Sequence, residues 1–271
     1  MIDAKLGIIG GGNMAEAILR GALSAGFVKK ESVIVSDVSQ QRRQHLSKTS
    51  GAACVDDNIA AGRQGTIVLA VKPQVMNAVL DQIAPVVGAG TLIISIAAGV
   101  KTAAIDARLG GRGRIVRVMP NTPMLAGAGM SAICAGPRCT AADLDFARGL
   151  FSASGKTCDV SEDMMDAVTA VSGSGPAYFF YLIEAMIAAG VAEGLSAETA
   201  ATLAVQTCAG AAKLLATTGE RPEVLRAKVT SPNGTTQRAI ETMEAAGVKD
   251  ALTKAVRAAA ARSRELGKDR Q

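Results

Sequence analysis

The stretch LGIIGGGNMAEA, residues 6–17, decides how the first half of the chain is read. Leu6–Ile9 is an apolar run of strand length that ends in three consecutive glycines. NMAEAILRGALSAG (13–26) follows with helical spacing, and Gly26 is placed to end it. Gly10, Gly12 and Ala15 fill the three positions of G-x-G-x-x-A. Between a strand and a helix each has a physical task. Gly10 permits the tight turn, Gly12 lets the backbone close on a pyrophosphate, and Ala15 lets the helix pack tightly on the strand. The helix start then aims unpaired N–H groups at the phosphates. The stretch predicts a dinucleotide-binding β-α-β unit, with Asn13 and Met14 joining Gly10 and Gly12 as contacts.

Outward from this loop, short Val- and Ile-rich runs alternate with amphipathic segments. Strands are expected at 5–10, 32–37, 65–71, 91–97 and 114–119, apolar on both faces, and later at 130–135 and 156–160. Helices are expected at 39–49, 74–84, 101–109 and 141–153. Runs apolar on both faces suit a parallel sheet covered on both sides, so the alternation predicts a doubly wound α/β domain over residues 1–161. From residue 162 the pattern changes. Helices are expected at 162–171, 176–194, 197–218, 222–230, 234–246 and 248–267, with breaks at SGSGP (172–176), GLS (194–196), TTGERP (217–222) and TSPNGTT (230–236). Residues 162–271 are therefore predicted to form an all-helical second domain.

Composition narrows the class. Of 271 residues, 49% are hydrophobic and 3% aromatic, with no Trp, which implies a core of Ala, Val, Ile and Leu. The net charge of +5 is scattered, and no basic stripe is interleaved with aromatics, so nucleic acid is not an expected partner. Cys54, Cys134, Cys139, Cys158 and Cys208 make no C-x-x-C pair and sit among apolar residues. They read as reduced core thiols of a cytoplasmic protein. The N-terminus shows no secretory pattern, and the apolar segment Ala177–Val191 is expected to be too short to span a bilayer, so no membrane is expected.

The strand ends carry the other candidate cofactor contacts, since ligands of open α/β sheets lie there. After the second expected strand stands SDVSQQRR (36–43). Asp37 can accept from a ribose 2′-OH, which favours NAD, whereas Ser36, Ser39, Arg42 and Arg43 can bind a 2′-phosphate, which favours NADP. The next ends are Ala70, Val71, Lys72 and Pro73, then Ala97, Ala98 and Gly99, then Asn121, an amide able to meet a carboxamide. The single His, His45, lies in a polar stretch and reads as a surface residue. No Ser-His-Asp triad and no metal-ligand spacing occur. Chemistry that needs little proton transfer is favoured, and hydride transfer from a cofactor fits.

Several motifs together resemble those of the pyrroline-5-carboxylate reductases: GGGNMAEAI, AVKPQ, SIAAGV, MPNTP, SGSGPAYFF (172–180) and TSPNGTTQRAIETME (230–244), in that order. The resemblance spans nearly the whole chain. It implies reduction of Δ1-pyrroline-5-carboxylate to L-proline by NADPH or NADH. It also implies an N-terminal Rossmann-type domain and a helical domain that dimerises, as a dimer or a ring of dimers. By position it places Ser231, Gly234, Thr235 and Thr236 around the substrate, with Thr236 at the ring nitrogen as the catalytic candidate, and Asn58 on the cofactor. Asn233 departs from relatives that carry Gly there, and Asp37 departs from NADP-preferring relatives. Two other readings stay open: a β-hydroxyacid reductase using Lys213 or Lys228 as general acid, and a non-catalytic NADP sensor.

Overall fold

The computed structural model describes residues 5–268. It contains two compact units, one up to Ser174 together with the stretch from Ala259 onward, the other Gly175–Ala258.

The first unit is a sheet wrapped by helices. Its elements are β1 (Leu6–Ile9), α1 (Asn13–Ser24), β2 (Val33–Ser36), α2 (Gln40–Ser50), β3 (Ala53–Val55), α3 (Asn58–Gly62), β4 (Thr66–Leu69), α4 (Met76–Ile83), β5 (Leu92–Ser95), α5 (Thr102–Arg108), β6 (Arg114–Pro120), β7 (Gly129–Ala135), α6 (Ala141–Ser152), β8 (Gly155–Asp159) and α7 (Met165–Val168). The eight strands lie in the order β3-β2-β1-β4-β5-β6-β7-β8. All neighbours are parallel except β6 and β7. The exception follows from chain length. A parallel crossover needs a dozen or more residues, and β6 reaches β7 through one 3₁₀ turn at Thr122–Ala126.

Alternate residues of the central strands enter opposite cores, as a period of two requires. Val68, Ile94, Val116 and Val118 join α1 and α6 on one face through Ile18, Leu19, Leu150 and Phe151. Ile67, Leu69, Ile93 and Ile115 join α4 and α5 on the other through Met76, Leu80, Ile83 and Ile105. The sheet is thus covered on both sides, and each fully buried Leu or Ile contributes about 1.5–3 kcal/mol relative to exposure.

Three details differ from the sequence expectation. β3 and α3 were not foreseen: three and five residues are too few to display a hydrophobic period. Cys158 is exposed rather than buried, whereas Cys134 is buried and its thiol is pushed up to about 11, chiefly by desolvation. SGSGP does not end the helix before it cleanly. A π-helical turn at Thr169–Gly173 leads on from α7, and α8 (Gly175–Ala192) starts after a single bend. The run Glu162–Ala192 is 31 residues, long and apolar enough to cross a bilayer by length and composition alone.

The second unit holds α8, α9 (Ala197–Thr218), α10 (Pro222–Lys228), α11 (Thr235–Ala245) and the start of α12 (Val248–Lys268), which crosses back into the first unit. Ser196 caps α9 by accepting from the amide of Thr199, and Gly219 closes it in the left-handed region at φ 65°. Among its described hydrophobic residues only Ala200 and Ala204 are buried, while Phe179, Phe180, Tyr181 and Leu203 are each about half exposed or more.

Candidate functional site

The phosphate loop connects β1 to α1. Gly10 has φ +96°, and a Cβ there would stand 2.7 Å from the Ala70 carbonyl oxygen, so both angle and space demand glycine. Its N–H donates to Ser36 O at 2.8 Å, which ties the loop to the end of β2. Gly12 is the N-cap of α1 and supplies no capping side chain. The space beside it is open, with nothing within 4 Å of an added Cβ. The first N–H groups of this 12-residue helix therefore face a surface that a ligand backbone can approach. Asn13 is exposed and Met14 half-buried at the same start, and Ala15 is buried against the sheet. This cradle fits a pyrophosphate.

The end of β2 is more heavily cross-linked than its sequence suggests. Asp37 Oδ2 accepts from the Gly11 amide at 2.6 Å, and Oδ1 accepts from the Ser39 amide at 2.7 Å. Arg42 donates through Nε to Gly11 O at 2.8 Å and through Nη2 to Glu16 Oε2 at 2.7 Å. Arg43 donates through Nη1 to the carbonyls of Asp37 and Val38, and its Nη2 lies 3.6 Å from Asp56. His45 is half exposed and meets Glu16 Oε1 at 2.9 Å. The hydrogen bonds from His45 and then Arg42 hold the Glu16 carboxyl below the usual carboxylate range. Ser39 caps α2 by accepting from the Arg42 amide. Ser36 is fully buried and donates its hydroxyl to Asn58 Oδ1 at 2.8 Å. The four side chains read from the sequence as partners for a 2′-phosphate are thus all engaged within this unit.

The remaining cofactor candidates line the carboxyl ends of the strands. Asn58 opens α3 and also donates to Gln82 at 2.7 Å. Ala70 follows β4 and its amide donates to Ile9 O at 2.8 Å. Val71 is half-buried, Lys72 exposed, and Pro73 starts a 3₁₀ turn. Ala97, Ala98 and Gly99 follow β5, with Gly99 at φ +75°. Asn121 follows β6, but its amide is occupied on both sides. Oδ1 accepts from the Met130 amide at 2.8 Å, and Nδ2 lies 3.3 Å from both Ser172 O and Ser172 Oγ. Asn121 ties β6 to the start of β7 and to the π-helical turn.

The sequence reading passed over Arg117, which lies within a strand taken as apolar on both faces. Arg117 is 5% exposed and donates to Glu162 Oε1 at 3.2 Å. Glu162 also accepts from the amide and the hydroxyl of Thr102, so one carboxylate joins β6 to the first turn of α5. The signal was present as the second, interior Arg of RIVRVM. Among the described residues no group of three or more His, Cys, Asp or Glu side chains could hold a metal ion.

In the second unit, the turn Ser231–Gly234 precedes α11. Asn233 sits in the left-handed region at φ 60°, where Asn is tolerated in place of Gly. Its amide donates to Gln237 Oε1 at 2.7 Å, and the Gly234 amide donates to Ser231 O at 3.0 Å. Gly234, not Thr236, is the N-cap of α11, and no side chain caps that end. The hydroxyls of Ser231, Thr235 and Thr236 make no hydrogen bond among the described residues. Three hydroxyl residues thus stand in or just before the first turn of a helix whose N-cap has no side chain, a sequence arrangement suited to a carboxylate.

Residues 162–266 match the family model described as pyrroline-5-carboxylate reductase dimerisation, and residues 5–99 match one described as a coenzyme-F420-dependent NADP oxidoreductase. A pyrroline-5-carboxylate reductase of Methanosarcina acetivorans is 42% identical over 99% of this chain and 100% of its own length. A solved pyrroline-5-carboxylate reductase from Coxiella burnetii superposes with TM-score 0.92 at 35% identity, covering 98% of this chain and 99% of that one. A Plasmodium falciparum pyrroline carboxylate reductase solved with NADP bound gives TM-score 0.88 at 32% identity, covering 97% and 98%.

Proposed function

The chain belongs to the pyrroline-5-carboxylate reductase family, and from that premise we infer that it reduces Δ1-pyrroline-5-carboxylate to L-proline, the last step of proline biosynthesis. The observation that carries this reading is the pairing, within one such chain, of an open phosphate cradle at Gly10–Gly12 with a hydroxyl-lined helix start at Ser231–Thr236.

NADPH is the proposed reductant, with NADH as an alternative, and when bound it supplies the hydride that reduces the C=N bond. Gly10, Gly12, Asn13 and Met14 would hold its pyrophosphate, with Ser36, Asp37 and Asn58 on the adenosine side. The strand ends Ala70–Pro73, Ala97–Gly99 and Asn121 would flank the rest. Because the Asn121 amide is already engaged, its part would be to shape the rim.

On the substrate side, the Ser231 hydroxyl and the free N–H groups at the start of α11 would bind the carboxylate. Thr235 and Thr236 would complete the cradle. A protonated imine is already an electrophile, so the protein need only hold it in place and exclude competing orientations. Thr236 would hydrogen-bond the ring nitrogen and orient it. A Thr hydroxyl is too weak an acid to donate outright, so the proton on nitrogen comes from solvent. The helical unit would self-associate, as a dimer or a ring of dimers, and bury there the apolar side chains it leaves exposed. The apolar run Glu162–Ala192 would then meet a protein partner in place of a bilayer, and the proposed location is the cytoplasm, with no nucleic-acid partner proposed. In domain terms the reading keeps a dinucleotide-binding part at 1–161 and a helical part at 162–271.

The test is reduction of pyrroline-5-carboxylate with NADPH and NADH in parallel, beside oxidation of β-hydroxyacids. Turnover of the cyclic imine alone supports the reading. Turnover of hydroxyacids, or coenzyme binding with no turnover of the imine, overturns it.

A further inference from the structure

G-x-G-x-x-A leaves its second position unrestricted, yet that position here is a third glycine, Gly11, and it is buried. The structure shows the backbone of one residue gripped from three directions. Its N–H donates to Asp37 Oδ2 at 2.6 Å and its carbonyl accepts from Arg42 Nε at 2.8 Å. A Cβ on it would stand 2.8 Å from Leu46 Cδ1 and 3.2 Å from Asp37 Cβ, and Leu46 is 1% exposed, so it has little free room to retreat. Arg42 is itself fixed, because Glu16 Oε2 accepts from its Nη2 and His45 holds the other oxygen of Glu16. Glu16 lies in the first turn of α1, so the chain of contacts closes on the helix whose start would receive the pyrophosphate.

We propose that Arg42, together with Asp37, is a positioning residue that locks the backbone at Gly11 and so holds the Gly10–Gly12 loop open for the pyrophosphate of either coenzyme. This rests on the dinucleotide-binding reading above. Arg42 then acts on the part common to NADH and NADPH and is withheld from the 2′-phosphate. A charge on each of the two peptide planes that meet at Gly11 fixes the turn between them, and charge-assisted hydrogen bonds are the stronger kind. Released from the clamp, the loop would have to be reordered by each incoming coenzyme, which weakens binding without touching the hydride step.

The experiment measures the dissociation constants of NADPH and NADH separately by coenzyme fluorescence, without substrate, and then KM and kcat for both. The variants are Arg42→Met, which keeps the apolar stem, Arg42→Lys, and Gly11→Ala, which disturbs the same backbone with Arg42 in place. Arg42→Met is expected to weaken NADPH and NADH in parallel, by about 5- to 50-fold, the scale of one charged hydrogen bond. Saturating kcat should stay within about twofold. Lys has one donor group in place of the guanidinium fork and cannot hold Gly11 and Glu16 together, so Arg42→Lys should give a smaller parallel loss. Gly11→Ala should weaken both coenzymes alike, and carries the test if Arg42→Met does not fold.

Loss of NADPH affinity alone would make Arg42 a 2′-phosphate ligand and overturn the proposal. Unchanged affinities for both coenzymes in all three variants would also overturn it while leaving the functional reading intact. A wild-type protein that binds neither coenzyme would instead remove the functional reading, and the clamp with it.

Discussion

The hydroxyl of Ser231 occupies the space that a side chain on Gly234 would need. The two residues are also joined by a hydrogen bond from the Gly234 amide to Ser231 O at 3.0 Å. The hydroxyl is thereby held over the uncapped start of α11, where a carboxylate would be received. Gly234→Ala should push Ser231 aside and raise KM for pyrroline-5-carboxylate by roughly 10-fold or more, while overpacking costs about 1–3 kcal/mol of stability. Steady-state kinetics beside a thermal melt checks this, and an unchanged KM would detach the turn from substrate binding.

Ser231→Ala removes the hydroxyl and leaves the backbone turn intact. Its expected effect is a KM for substrate raised about 10- to 100-fold with kcat little changed, the pattern of lost uniform binding. A fall in kcat alone would contradict the assignment.

Thr236→Val keeps the shape of the side chain and removes its hydroxyl. Because Gly234 and not Thr236 caps α11, the substitution should leave the melting temperature nearly unchanged. If Thr236 meets the ring nitrogen, kcat/KM should fall roughly 10- to 1000-fold. Wild-type kinetics in the folded variant would remove Thr236 from the mechanism.

Arg114 on β6 meets Asp143 on α6 through two hydrogen bonds of 2.8 and 3.0 Å. Asp143 is buried and also completes the capping box of α6 with Thr140. Burial raises its pKa, but the bonds from Arg114 and Thr140 outweigh that and leave the carboxyl below its usual range. A carboxyl depressed in the folded state stabilises above its unfolded pKa, and the contribution is lost as pH falls through the folded value. The protein should therefore lose stability below about pH 4, near the unfolded Asp value. Asp143→Asn should flatten that part of the profile and cost about 3 kcal/mol near neutrality, because it leaves Arg114 half-buried without its partner. Chemical denaturation at a series of pH values measures both effects.

The loop GIIGGG and the Val- and Ile-rich strands were legible because their periods and spacings are local. β3 and α3 were not, since elements of three and five residues carry no period of their own. The role of Asn121 was open from its position at a strand end, and the fold settled where its amide goes, to Met130 and Ser172. Arg42 and Arg43 looked like free cations because a sequence cannot show that Gly11, Glu16 and the Asp37 carbonyl lie within reach of them.

What the sequence by itself determined is therefore the order of the longer elements, the glycine turn and the hydroxyl-rich helix start. Each depends on backbone preferences and hydrophobic periods that act over a few residues. Only the tertiary structure decided which charges are spent internally, that β7 runs against β6, and that Gly11 is buried and held at both its N–H and its carbonyl. Those outcomes depend on groups far apart in the chain, and no local pattern records the distance between Arg42 and Gly11.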